Sequence, residues 1–107
     1  MIALIHEAIA EFAPVTEEQF LSRRLFQTSA AWYIQAVGEA AARVSDESRS
    51  VFPSIPWNQV VGMRNILSHE YDQLMPAKLW RVLRVHFGTM LQELEANVDK
   101  LPWPKST

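Results

Sequence analysis

Residues 22–45 read SRRLFQTSAAWYIQAVGEAAARVS, twenty-odd positions without a proline. Leu25, Trp32, Ile34, Val37, Ala40, Ala41 and Val44 recur in it at helical intervals, which predicts one long helix with a broad apolar stripe. Alanines at 30, 31, 36 and 40 to 42 would let a neighbouring helix approach closely. Strand-like alternation is scarce here and along the rest of the chain, so the expected class is all-α.

Outward from this segment the same period continues. Ile2, Ile5, Ile9 and Phe12 form one helical face, and Pro14 follows it. Thr16-Glu17-Glu18-Gln19 reads as a capping box, in which Thr16 caps a new helix and Gln19 reaches back to the Thr16 amide. On the other side, residues 45–48 weaken the pattern, and Pro53 and Pro56 turn the chain. Pro56-Trp57 opens a third long helix, since proline is tolerated in a first turn. Val60, Val61, Met63 and Leu67 supply its apolar side, and it runs into His69-Glu70-Tyr71-Asp72. Pro76 starts the last helix. Leu79, Leu83, Phe87, Met90, Leu94 and Val98 mark its buried face, and Pro102 closes it, leaving residues 102–107 as a tail. These segments predict a single domain over residues 1–107, an up-and-down bundle of four or five helices.

Composition narrows the chemistry. The chain has 107 residues, 49% of them apolar and 21% charged, in the range of a soluble globular protein. Cysteine is absent, which excludes disulfides, zinc–thiolate sites and thiol nucleophiles. His6, His69 and His86 lie far apart without metal-ligand spacing, so no histidine-rich metal site is expected; carboxylates remain able to bind a hard cation, and no metal or other cofactor is assigned. A net charge of -2 argues against a protein that coats nucleic acid through many phosphate contacts, yet leaves room for a small local basic patch. The first apolar stretch is interrupted by His6 and Glu7 and lacks a basic leader, so no signal peptide is expected. No run reaches membrane-spanning length, so no membrane association is expected and the cytoplasm is the expected compartment.

The chemically rich stretch is Arg64-Asn65-Ile66-Leu67-Ser68-His69-Glu70-Tyr71. Arginine pairs with phosphate and stays charged, and histidine moves protons near neutral pH. The two suffice for RNA cleavage without a metal. A base takes the ribose 2′-OH proton, the oxygen attacks the adjacent phosphorus, and a cation stabilises the crowded phosphorane. On a regular helix, however, side chains five apart point about 140° away from each other. Asn65 and His69 would share a face, and so would Arg64 and Tyr71. To bring Arg64 to His69, either the helix distorts before His69 or two chains meet and complete the site. A symmetric dimer with both motifs near its axis, and a loosened helix end, is the favoured arrangement.

Arg64-x4-His69-x-Tyr71 resembles the R-x4-H-x-Y motif of HepT toxins in the HEPN superfamily. Val37-Gly38-Glu39-Ala40-Ala41 is similar to that family's I-G-E-A-A segment, Ile55-Pro56-Trp57 to its I-P-W turn, and Val61-Gly62-Met63-Arg64-Asn65 to its I-G-(L/M)-R-N segment. The likeness runs in the family's order from about Thr16 onward. It implies a helical homodimer acting as an endoribonuclease toxin, with tRNA as an expected substrate. It also implies a minimal nucleotidyltransferase antitoxin as partner, which attaches AMP to Tyr71. Added phosphates would bring negative charge and bulk into a site meant for RNA phosphate. Two departures stand out. The chain begins at Met1-Ile2-Ala3-Leu4 without the usual charged turn, which predicts a shortened first helix. After Tyr71 it continues Asp72-Gln73-Leu74-Met75-Pro76 rather than with an aromatic or glycine.

The expected roles are therefore His69 as acid and base, Arg64 as phosphate clamp, Asn65 as a positioning group and Tyr71 as the regulated residue. Lys78, Arg81 and Arg84, three apart on the last helix, form either a solvated face or a track for the RNA backbone. His86, set among apolar residues, reads as a core histidine. Trp32, Trp57, Trp80 and Trp103 read as core or interface anchors, with Trp103 the candidate for touching another chain. A competing reading makes the chain a non-catalytic nucleotide- or substrate-binding subunit of a nucleotidyltransferase complex.

Overall fold

The computed structural model describes residues 1–65 and 75–97, and every regular element among them is helical. In chain order these are α1 (Ile2–Phe12), α2 (Glu17–Ser22), α3 (Arg24–Ala42), α4 (Asp46–Arg49) and α5 (Trp57–Gly62). A 3-10 turn (Met63–Asn65) extends α5. The last rod is continuous: α6 (Pro76–Arg81), a π-helical turn (Val82–His86) and α7 (Phe87–Asn97). The all-α bundle expected from the periodicity is the observed class, with α3 at its centre against α1, α2, α5 and α6.

Local chemistry explains the breaks. The capping box forms as its spacing predicts: the Gln19 amide donates to Thr16 Oγ1 at 3.1 Å, and the Thr16 amide donates to Gln19 Oε1 at 3.0 Å. The helix so started stops at Arg23, whose backbone is extended. Gln27 Nε2 then donates to the Phe20 and Leu21 carbonyls at 3.0 and 3.2 Å, tying the end of α2 to α3. The Ser45 hydroxyl accepts from the Ser48 amide at 3.1 Å, so the stretch that weakens the period opens the one-turn α4. More short helical pieces therefore exist than the four or five segments expected.

The core corrects the predicted stripe of α3. Its buried residues are Ala30, Ala31, Tyr33, Ile34, Val37, Gly38 and Ala41, whereas Leu25 is 78% and Trp32 54% exposed. Trp32 lies two residues and Leu25 nine from Ile34, which on a helix places them roughly 160° and 180° around from it. Both cannot face the core that holds Ile34. The other helices agree with their periods: Ile5, Ala8 and Phe12 are buried on α1, and Leu79, Leu83, Phe87, Met90 and Leu94 along the last rod.

Phe12 meets Phe20 edge-on at 5.8 Å and Phe26 at 6.3 Å, and Phe20 meets Trp80 at 5.1 Å, so rings from α1, α2, α3 and α6 form one cluster. Each fully buried phenylalanine contributes about 1.5–3 kcal/mol by area removed from water. Val98 and the tail, residues 102–107 with Trp103, lie outside the described residues.

Candidate active site

Arg64 stands where α5 changes character. The α-helix ends at Gly62, and the Met63 N–H donates to the carbonyls of Val60 and Val61. The chain then tightens into the 3-10 turn Met63–Asn65 that carries Arg64. The regular α-helix thus gives way to a 3-10 turn before it reaches Arg64. His69 and Tyr71 lie outside the described residues, as does the side chain of Asn65. The Arg64 side chain is exposed, and no hydrogen bond or ion pair engages it among the described residues, Glu39 included.

The backbone at Arg64 is held very closely by α3. A Cβ placed on Gly38 would lie 2.7 Å from Arg64 N, 2.8 Å from the Val60 carbonyl oxygen and 3.1 Å from Arg64 Cα. All three are main-chain atoms, so no rotamer change could make room. Gly38 therefore sets the seat of the candidate phosphate clamp. Sequence reading caught Gly38 only as a letter in a motif, because its contact depends on how α3 crosses α5.

The basic strip separates into two kinds of residue. Lys78 and Arg81 are exposed on α6. Arg84 instead turns to the C-terminal end of α1. Its Nη2 donates to the Phe12 carbonyl at 2.7 Å, to the Ala13 carbonyl at 3.4 Å and to the Val15 carbonyl. Its guanidinium also lies over the Trp80 ring, 4.4 Å from the centroid. Helix α1 has no basic residue in its last turn. Arg84, 72 residues away, adds donors to the carbonyls of the turn that follows α1.

His86 is exposed rather than buried, which corrects the core reading. It ends the π-helical turn, where the Phe87 N–H reaches back to the Val82 carbonyl. Such turns insert an extra residue and re-aim side chains, often at functional sites. Here Val82 and His86 form one wall of a cleft of about 570 Å³, whose opposite wall includes Met63, next to Arg64.

Of the other aromatic anchors, Trp57 is half-buried and donates Nε1–H to the Phe52 carbonyl at 3.2 Å, with the Arg49 guanidinium 5.5 Å from its ring centroid. Tyr33 is buried, and its hydroxyl donates to Glu11 at 2.6 Å. That hydrogen bond, then burial, then the Glu11 and Glu7 charges push its pKa up to about 12. Among the described residues no group of three histidines or carboxylates could hold a metal ion, and no helix is long and apolar enough to cross a membrane.

A Thermococcus cleftensis protein named as ribonuclease HepT is 29% identical over 95 residues, covering 88% of this chain and 86% of that one. A Methanocaldococcus jannaschii protein named as an RNase is 27% identical over 77 residues, 72% of this chain and 71% of its own. A second from the same organism, also named as an RNase, is 23% identical over 84 residues, 78% and 72% of the two chains. No solved structure matches the chain. The model of the family described as ribonuclease HepT-like matches residues 2–97, and with nearly the whole chain so covered, this protein belongs to the HepT-like ribonuclease family.

Proposed function

We propose that this chain is a metal-independent endoribonuclease toxin that works as a homodimer in the cytoplasm on RNA, with tRNA as the substrate class. The observation that carries the reading is Arg64. Its guanidinium is exposed and unengaged among the described residues, on a turn seated against Gly38 and five positions before His69, in a HepT-like ribonuclease chain. Arg64 binds the scissile phosphate through paired N–H donors. His69 takes the 2′-OH proton, the 2′ oxygen attacks phosphorus, and the P–O5′ bond breaks as an imidazolium returns a proton to the leaving oxygen. The products are a 2′,3′-cyclic phosphate and a 5′-hydroxyl. Asn65 positions the substrate, and Lys78 and Arg81 extend the positive surface along the RNA backbone. Folding as a single domain over residues 1–107, two copies meet with their motifs near the dyad and double the local positive charge.

A minimal nucleotidyltransferase antitoxin silences the site by attaching AMP to Tyr71, which sets negative charge beside Arg64. Expression in a bacterial host tests this. Wild type should arrest growth unless the nucleotidyltransferase is co-expressed, and His69→Ala should be harmless while folding normally. Growth arrest by a folded His69→Ala protein would overturn the mechanism. A harmless, unmodified wild type would favour the non-catalytic subunit instead.

A further inference from the structure

The cleft between α5 and the last rod has a composition that phosphate binding does not explain. No described lysine or arginine lines it. Its lining includes Gln59, His86 and Glu93, which offer a carboxamide, an imidazole and a carboxylate. None of these three side chains makes a hydrogen bond among the described residues. Two thioethers, Met63 and Met90, line the cleft as well.

This is the donor and acceptor set of a base-reading site. Thioether sulfur makes favourable contacts with aromatic rings, and neutral amide and imidazole groups hydrogen-bond base edges. The volume falls within the usual range of small-molecule sites, roughly 300–1,000 Å³. Ile55, Val60 and Met90 are no more than 5% exposed already, so a protein partner laid over the cleft would gain little apolar burial there. The π-helical turn is an independent sign of specialisation, because it lies where Val82 and His86 meet the cleft.

We infer that this cleft holds the nucleobase of the RNA nucleotide beside the scissile phosphate, while Arg64, which follows Met63, holds the phosphate itself. The inference rests on the ribonuclease reading and adds where sequence preference arises. A carboxylate accepts two parallel hydrogen bonds, and guanine presents two adjacent N–H groups on one edge, so Glu93 makes guanine the expected base.

The test uses the full chain with its methionine methyl groups labelled with carbon-13, titrated with GMP, AMP, CMP and UMP. Met63 and Met90 line the cleft, whereas Met1 and Met75 do not and serve as internal references. Saturable shifts at Met63 and Met90 only, strongest with GMP, are expected. Glu93→Gln should weaken GMP binding on the order of tenfold and level the four nucleotides, since a site built on specific hydrogen bonds suffers most when one is lost. The same substitution should flatten the sequence preference of cleavage. Unchanged Met1 and Met75 signals would show that the variant is folded. RNA cleavage by wild type with silent Met63 and Met90 signals would overturn the cleft and leave the ribonuclease reading standing. Shifts that track protein concentration without nucleotide would assign the cleft to a second copy and also overturn it. Nucleotide-specific shifts in a chain that cuts no RNA would overturn the ribonuclease reading and with it the placing of the base beside a scissile phosphate, leaving a nucleotide-binding cleft alone.

Discussion

Gly38→Ala is the most informative single substitution in this molecule. The added methyl would sit 2.7 Å from Arg64 N and 2.8 Å from the Val60 oxygen, which already accepts the Met63 N–H. Reaching ordinary contact requires the α5 end and its 3-10 turn to retreat by about 0.7 Å, because backbone atoms on both sides leave no softer route. Overpacking of this kind costs about 1–3 kcal/mol. Replacing a mid-helix glycine with alanine returns about 1 kcal/mol of helix propensity. Net destabilisation is therefore roughly 0–2 kcal/mol, and the protein stays folded. Catalysis should suffer far more, since misplacing a reacting group by about 1 Å can cost a hundredfold. We expect a loss of tenfold to a hundredfold in kcat/KM for RNA cleavage, with a melting temperature lowered by no more than about 16 °C. The assay pairs initial cleavage rates with thermal unfolding of the same sample. Full activity with a raised melting temperature would show that propensity alone acts and that Gly38 does not seat Arg64.

Three further outcomes are expected. Arg84→Ala removes charged hydrogen bonds to the end of α1 and a cation–π contact over Trp80; it should destabilise the fold by about 2–4 kcal/mol, read by denaturant titration, with lysine restoring only part. Thr16→Ala removes the α2 cap and should cost about 1 kcal/mol in the same titration without changing cleavage. Tyr33 ionises near pH 12 in the folded chain against an ordinary value of 10.0. A raised acid contributes stability that is complete below pH 10.0 and is lost as pH rises towards about 12. Chemical unfolding at stepped pH should show that alkaline loss, and Tyr33→Phe should flatten it.

Much of the fold is legible in the chain because apolar residues at intervals of three and four commit a helix to one orientation. That logic marked Leu79 to Leu94 on the last rod, and the Thr16–Gln19 box marked a helix start. On α3 it marked Ile34, Val37 and Ala41 correctly and failed at Leu25 and Trp32, whose hydrophobicity outweighs the neighbouring alanines. The buried face keeps the expected Ile34, Val37 and Ala41, and adds Ala30, Ala31, Tyr33 and Gly38 in place of the two larger residues.

The long helix expected from Pro56 is α-helical only to Gly62; the angular spacing of Arg64 and His69 raised a break as one alternative without placing it. What Gly38 touches, what Arg84 binds and where His86 points were not legible, because each depends on elements that meet only after folding. The π-helical turn carries no local signal that proline or glycine would have supplied.

The central claim is that Arg64 and His69 cut RNA without a metal. The direct test is incubation of total tRNA with purified protein in EDTA, with wild type beside Arg64→Ala and His69→Ala. The account predicts cleavage by wild type alone, leaving 2′,3′-cyclic phosphate ends. Equal cleavage by folded His69→Ala, or activity in wild type that appears only when a divalent cation is restored, would contradict it.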